Sequence, residues 1–206
     1  MVSRAKGFRG EIMATLANDR MHPIVRDRLF FFVMAAVICA TVVIGFAMQL
    51  AMRRSDFGAP WWVHVHAMTF MGWLGLYMAQ NFLAWRGITV AHQRLGRVAA
   101  VYVGWMVLVG VSVNTLAAIT HRVPPFFETN VFLVMDWMTV LVFAGLTWAG
   151  VRLRGATDWH RRLMLCGAIM IMGPGIGRLL PLPFLGTWIV WAVWASTVPF
   201  MAASLI

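Results

Sequence analysis

Negative charge is scarce in this chain of 206 residues: seven Asp and Glu stand against seventeen Lys and Arg, and Lys6 is the sole lysine. Because Lys6 precedes every apolar block, a retinal Schiff base inside the apolar part of the chain is excluded. Cysteine is rarer still. Cys39 and Cys166 both fall inside apolar stretches, where they read as small buried thiols rather than a disulfide pair. The sequence also lacks a glycine-rich phosphate loop, a Cys-x-x-Cys pair, a His-Glu-x-x-His helix and a Ser-His-Asp order. Phosphate-loop, thiol-redox, zinc-protease and serine-hydrolase chemistry therefore have no carrier here.

Apolar residues, by contrast, are abundant. Hydrophobic residues make up 61% of the chain and charged residues 12%, a mix that a water-soluble core cannot absorb. They arrive in blocks of about twenty, the length that carries a helix across a ~30 Å hydrocarbon layer. The pattern predicts an all-α polytopic transmembrane bundle of about six helices, spanning 29-52, 61-85, 98-120, 131-151, 163-182 and 187-206. A basic segment, 1-28, precedes them. The first block starts near Leu29 and is long enough to span, so it reads as a helix and not as a cleaved signal. Gly173, Pro174, Gly175 and Gly177 predict a kink in the fifth block. The last residues, Phe200 to Ile206, form no polar tail; a natural C-terminus and a longer parent chain both fit.

A net charge of +10 would point to nucleic acid in a soluble protein, but here the cations lie between apolar blocks. That is the distribution of topology signals and headgroup contacts, so the bilayer is the expected partner and nucleic acid is not. The N-terminal segment and the loops 86-97 and 152-162 carry most of the arginine, whereas Arg53, Arg54 and Arg122 fall on the other side. The positive-inside rule then places the N-terminus in the cytoplasm of a bacterial cell, with the chain in its inner membrane. Arg86, Arg94, Arg97, Arg154, Arg161 and Arg162 are the expected contacts to lipid headgroups or other anions.

The two inner loops resemble each other. Arg86-Gly87-x-Thr89-x-x-His92-x-Arg94-Leu95 recurs as Arg154-Gly155-x-Thr157-x-x-His160-x-Arg162-Leu163. Both copies join an inward-running helix to an outward-running one. Two similarly solved loops, each placing cations at the cytoplasmic headgroups, are the first reading of this, and a duplicated two-helix unit is the alternative.

On the second block His66, Thr69, Trp73, Tyr77 and Gln80 recur at spacings of three and four and share a stripe that should face protein. His66, Asp136 and Arg178 each lie about six residues inside the outer end of their helix, which puts them in one layer ~9 Å below the surface. Asn114 and His121 share a face of the third helix. These five form a candidate polar site in the outer half of the bundle. A charge inside the membrane is costly, so Asp136 and Arg178 are expected to pair, either as a structural tie or around a bound group. Neutral imidazole also ligates haem and metals. His92 with His160, and His66 with His121, are the candidate pairs, and haem b is the candidate cofactor.

The stretch from His92 to Tyr102, with Asp136, the His160-Arg-Arg-Leu-Met-Leu element and Arg178-Leu, resembles a broad family of predicted bacterial inner-membrane proteins of unknown function. More distantly, the arrangement is similar to the four-helix core of bis-histidine b-type cytochromes. That resemblance implies a haem-holding bundle, and the leading reading is an inner-membrane protein associated with electron transfer whose polar site in the outer half holds haem or a quinone headgroup. The alternative is a structural or assembly subunit of a larger membrane complex, or a homo-oligomer, with no cofactor of its own. The charge asymmetry makes the topology testable: a reporter fused within 152-162 should be cytoplasmic and one within 121-130 periplasmic. Activity of both reporters on one side would overturn the helix count between them.

Overall fold

A computed structural model describes residues 23-55, 57-125, 127-180, 185 and 188-204. Among these residues there are seven helices and no strand: α1 (Pro23–Ala51), α2 (Trp61–Trp85), α3 (Thr89–Ile119), α4 (Thr129–Arg152), α5 (Thr157–Met170), α6 (Gly173–Leu179) and α7 (Ile189–Ala203). Three of them are long and apolar enough to cross a membrane, over Val25–Ala51, Thr89–Ile119 and Thr129–Arg152. The bent pair α5 and α6 makes a fourth span if the two are counted as one. α2 matches these in length, at 25 residues, but carries His64, His66, Thr69, Gln80 and Asn81 and is correspondingly less apolar. The protein is thus an all-helical bundle with the apolar helices of an integral membrane protein.

Several boundaries differ from those read off the apolar blocks. α1 begins at Pro23 rather than 29, and most of the segment 1-28 lies outside the described residues. α3 takes in nine residues assigned to a loop, and α5 six. The reason is length: the 31 residues of α3 extend about 46 Å at the α-helical rise, well beyond the hydrocarbon layer. Its first turns can therefore carry His92, Arg94 and Arg97 without ceasing to be helix. The kink expected in the fifth block is a break at Ile171 and Met172, with a bend of 48°. Pro174 has no N–H to give back to the preceding turn, so the ladder cannot run through it.

Consecutive helices α1 to α5 pack side by side, and α5 returns to α1, closing a ring. α6 lies on α1 and α7. The core is made of Ile38, Met106, Phe143, Leu165, Ile169 and Met172, all fully buried. The outside is apolar as well, with Val101 78% and Trp191 64% exposed, as a surface facing lipid tails should be. Where α6 crosses α1 the backbones nearly touch. A Cβ on Gly175 would lie 2.7 Å from the Val42 Cα, so only glycine allows that approach.

This contact gives a packing test. Gly175→Val should destabilise the fold by about 1–3 kcal/mol, the usual cost of overpacking. Gly104→Ala, where an added Cβ meets nothing within 4 Å, should be neutral or mildly stabilising in the same denaturant titration.

Candidate functional site

The starts of α1, α3 and α5 and the ends of α2 and α4 enclose a cavity of about 480 Å³. It reaches inward to Trp73, twelve residues from the end of α2 and so about 18 Å down the helix. Phe31, Leu76, Ala99, Ala100 and Met164 give it apolar walls. Gln80, Thr147, His92, His160 and Arg161 supply the polar lining.

His92 and His160 occupy matching places, each three residues into its helix. Their rings meet edge to face in the cavity lining, with centroids 6.2 Å apart and planes at 86°. His92 Nδ1 lies 3.2 Å from the Gln80 carbonyl oxygen, and His160 Nδ1 lies 2.8 Å from that of Gly150. A carbonyl can only accept, so Nδ1 is the donor in both rings, and in the neutral imidazole Nε2 keeps its lone pair. Each histidine is therefore held by the end of the preceding helix in the tautomer that a ligand atom would need.

Four buried polar atoms of the lining have no hydrogen-bond partner among the described residues: Trp73 Nε1, Gln80 Oε1, Thr147 Oγ1 and Arg161 Nε. Leaving such a group dry costs roughly 1–3 kcal/mol each. Their convergence on one cavity marks a place where something else must supply hydrogen bonds. Arg161 guards its mouth. One Nη2 bonds both Asp158 and, at 3.1 Å, Asp27 of α1, and the guanidinium carbon sits 5.3 Å from the centre of the Phe31 ring.

Of the other residues singled out in the sequence, Arg178 lies within electrostatic reach of His66, whereas His121 stands apart in the turn after α3. His66 stacks on Phe70 at 4.4 Å, with Nδ1 buried and unpartnered among the described residues. Phe70 and Val140 both close on Gly110. One turn further toward that end of the bundle, on the same faces, come His66, Asn114 and Asp136, so the three share a layer around α3. No hydrogen bond joins them among the described residues.

The direct Asp136–Arg178 ion pair is not formed. The break before α6 carries Arg178 away from α4 and onto α1, where its guanidinium lies 3.9 Å over the Phe46 ring and Nη1 donates to the Pro174 carbonyl at 2.8 Å. The His66–His121 pair is not formed either. His121 is exposed in the turn after α3, with a left-handed φ of 53°. Arg86, Arg94, Arg97 and Arg154 are exposed, as headgroup contacts would be, whereas Arg161 turns into the cavity. Arg162 is half-buried.

Thr147 and Asp27 have no place in the sequence reading, since nothing in the spacing of α4 or in the basic lead-in to α1 singles them out. Among the described residues no three His, Cys, Asp or Glu side chains gather as a metal site. Among the described residues the cavity lining supplies two imidazoles, too few for a structural metal ion, which takes four protein ligands. Two suffice for a haem, whose ring already provides the in-plane nitrogens. Comparison of the chain with protein-family models, curated proteins and solved structures finds no match.

Thr147 isolates the cost of an unpartnered group. Thr147→Val removes its buried hydroxyl at nearly constant volume and should raise the stability of ligand-free protein by about 1–3 kcal/mol. Unchanged or lower stability in the same denaturant titration would mean that the hydroxyl is already satisfied.

Proposed function

We propose that this chain is a six-span protein of the bacterial inner membrane, N-terminus inside, that holds one b-type haem between His92 and His160 and serves electron transfer. The adjacent imidazoles carry this reading. Two imidazoles that held one metal would have ring centres at most about 6 Å apart, twice the sum of a ~2 Å metal–nitrogen bond and ~1 Å from nitrogen to ring centre. The observed 6.2 Å agrees. The deep, mostly apolar cavity suits a flat hydrophobic ring, and Arg28 in its lining offers positive charge to a peripheral carboxylate, Arg161 being already bonded to Asp27 and Asp158.

Bound there, a haem would supply a one-electron couple, with His92 and His160 to hold it. The chain's own residues set the rest. The Gln80 and Gly150 carbonyls fix the imidazole tautomers, and Trp73 and Phe31 exclude water from the walls. The matching loops also favour duplication, because α2–α3 and α4–α5 are hairpins that each end in the same anchored histidine. Counting α2, the α5–α6 pair and α7 as spans completes six, in keeping with the resemblance to inner-membrane proteins of the kind described above.

An optical spectrum of the purified protein tests the proposal. Oxidised protein should show a Soret band, and reduction should bring sharp α and β bands. His92→Ala and His160→Ala should each abolish them, while His66→Ala and His121→Ala leave them intact. A colourless, iron-free preparation carrying a bound isoprenoid quinone would transfer the cavity to that ligand. One carrying nothing would leave a structural subunit.

A further inference from the structure

The opposite end of the bundle carries a second recess, of about 340 Å³, lined by Arg53, Arg54, Ser55, Gly58, Ala59 and Arg122. We infer that the three arginines of this recess form a binding site for a phosphate group, such as an anionic lipid headgroup or free phosphate presents.

Arg53 and Arg54 follow α1, whereas Arg122 follows α3, so chain segments far apart in sequence bring their cations to one point. Like charges gathered in this way repel, and an anion among them would relieve that repulsion. The lining residues include no carboxylate. Asp56, adjacent in sequence, lies outside the described residues and enters the test below.

Two backbone features accompany the convergence. Arg53 and His121, the residue before Arg122, are the only non-glycine residues with positive φ among those described, both at 53°. This conformation is costly for an L-residue. Each stands in the turn that delivers an arginine to the recess. The distribution of charge adds a third argument. Cations on this side of the chain oppose the positive-inside preference, yet every arginine in the loops at this end contributes to this one recess.

Guanidinium forks match phosphate oxygens with paired, charge-assisted hydrogen bonds. The Ser55 hydroxyl is a further donor. The recess opens beside α2, whose first residue, Trp61, is 75% exposed. Tryptophan at a helix end is typical of the headgroup level of a bilayer, where phosphates are concentrated.

The full chain, purified in detergent, is titrated with short-chain phosphatidylglycerol, with short-chain phosphatidylcholine and with inorganic phosphate, and the melting temperature is followed. Phosphatidylglycerol should raise it saturably, more than phosphatidylcholine, with an effect that fades at high salt. Arg53→Gln and Arg122→Gln should each weaken that response about tenfold, the scale of one lost charge-assisted bond. Arg152→Gln, at the other end, where the guanidinium lies over the Trp148 ring, should not. A response to inorganic phosphate at comparable affinity would assign the site to the free ion. Asp56→Asn should strengthen binding if this carboxylate competes for the arginines, and leave it unchanged if it does not. No saturable response to either anion, or a response that survives both arginine substitutions, would overturn the site.

Discussion

Hydrocarbon offers no hydrogen-bond partner, and the arrangement of this protein follows from that one constraint. Helices answer it for the backbone. Hydroxyls within the helices answer it locally: Thr41, Thr115, Thr139 and Ser196 each donate to the carbonyl four residues earlier, at 2.7–2.8 Å. Arg178 answers it with a carbonyl and an aromatic face rather than a carboxylate. Of the six buried polar side-chain atoms without a partner among the described residues, four line the cavity, and the other two are His66 Nδ1 and Trp137 Nε1.

Much of the architecture is legible in the sequence because the same constraint writes it there. Apolar blocks of spanning length produce α1, α3 and α4, and the repeated loop motif leads to His92 and His160. What escapes the reading is whatever depends on direction rather than on depth. Asp136 and Arg178 stand at similar depths, but the break at Ile171 and Met172 turns α6 toward α1, and depth alone carries no information about azimuth. His121 reads as the last turn of a helix, whereas the backbone reverses there. Arg161 reads as one more interfacial cation; that it bends inward depends on Asp27, a residue 134 positions earlier.

The two ends of the bundle handle positive charge differently. At the histidine end most arginines spread outward, and Arg161 is drawn in by two carboxylates. At the far end three arginines converge without a carboxylate among the described lining residues. Between them Trp73 and Phe143, both buried, meet edge to face at 5.2 Å.

The Asp27–Arg161 bond also has a bearing on biosynthesis. Asp27 leaves the ribosome with the first helix, long before its partner exists, and the ring of helices closes only when α5 arrives. Until then the cavity has no floor on that side and neither Arg161 nor His160 to line it. Any molecule that occupies it must therefore enter after five helices have been made, so loading is a late event in the life of the chain, and the closing bond records its completion.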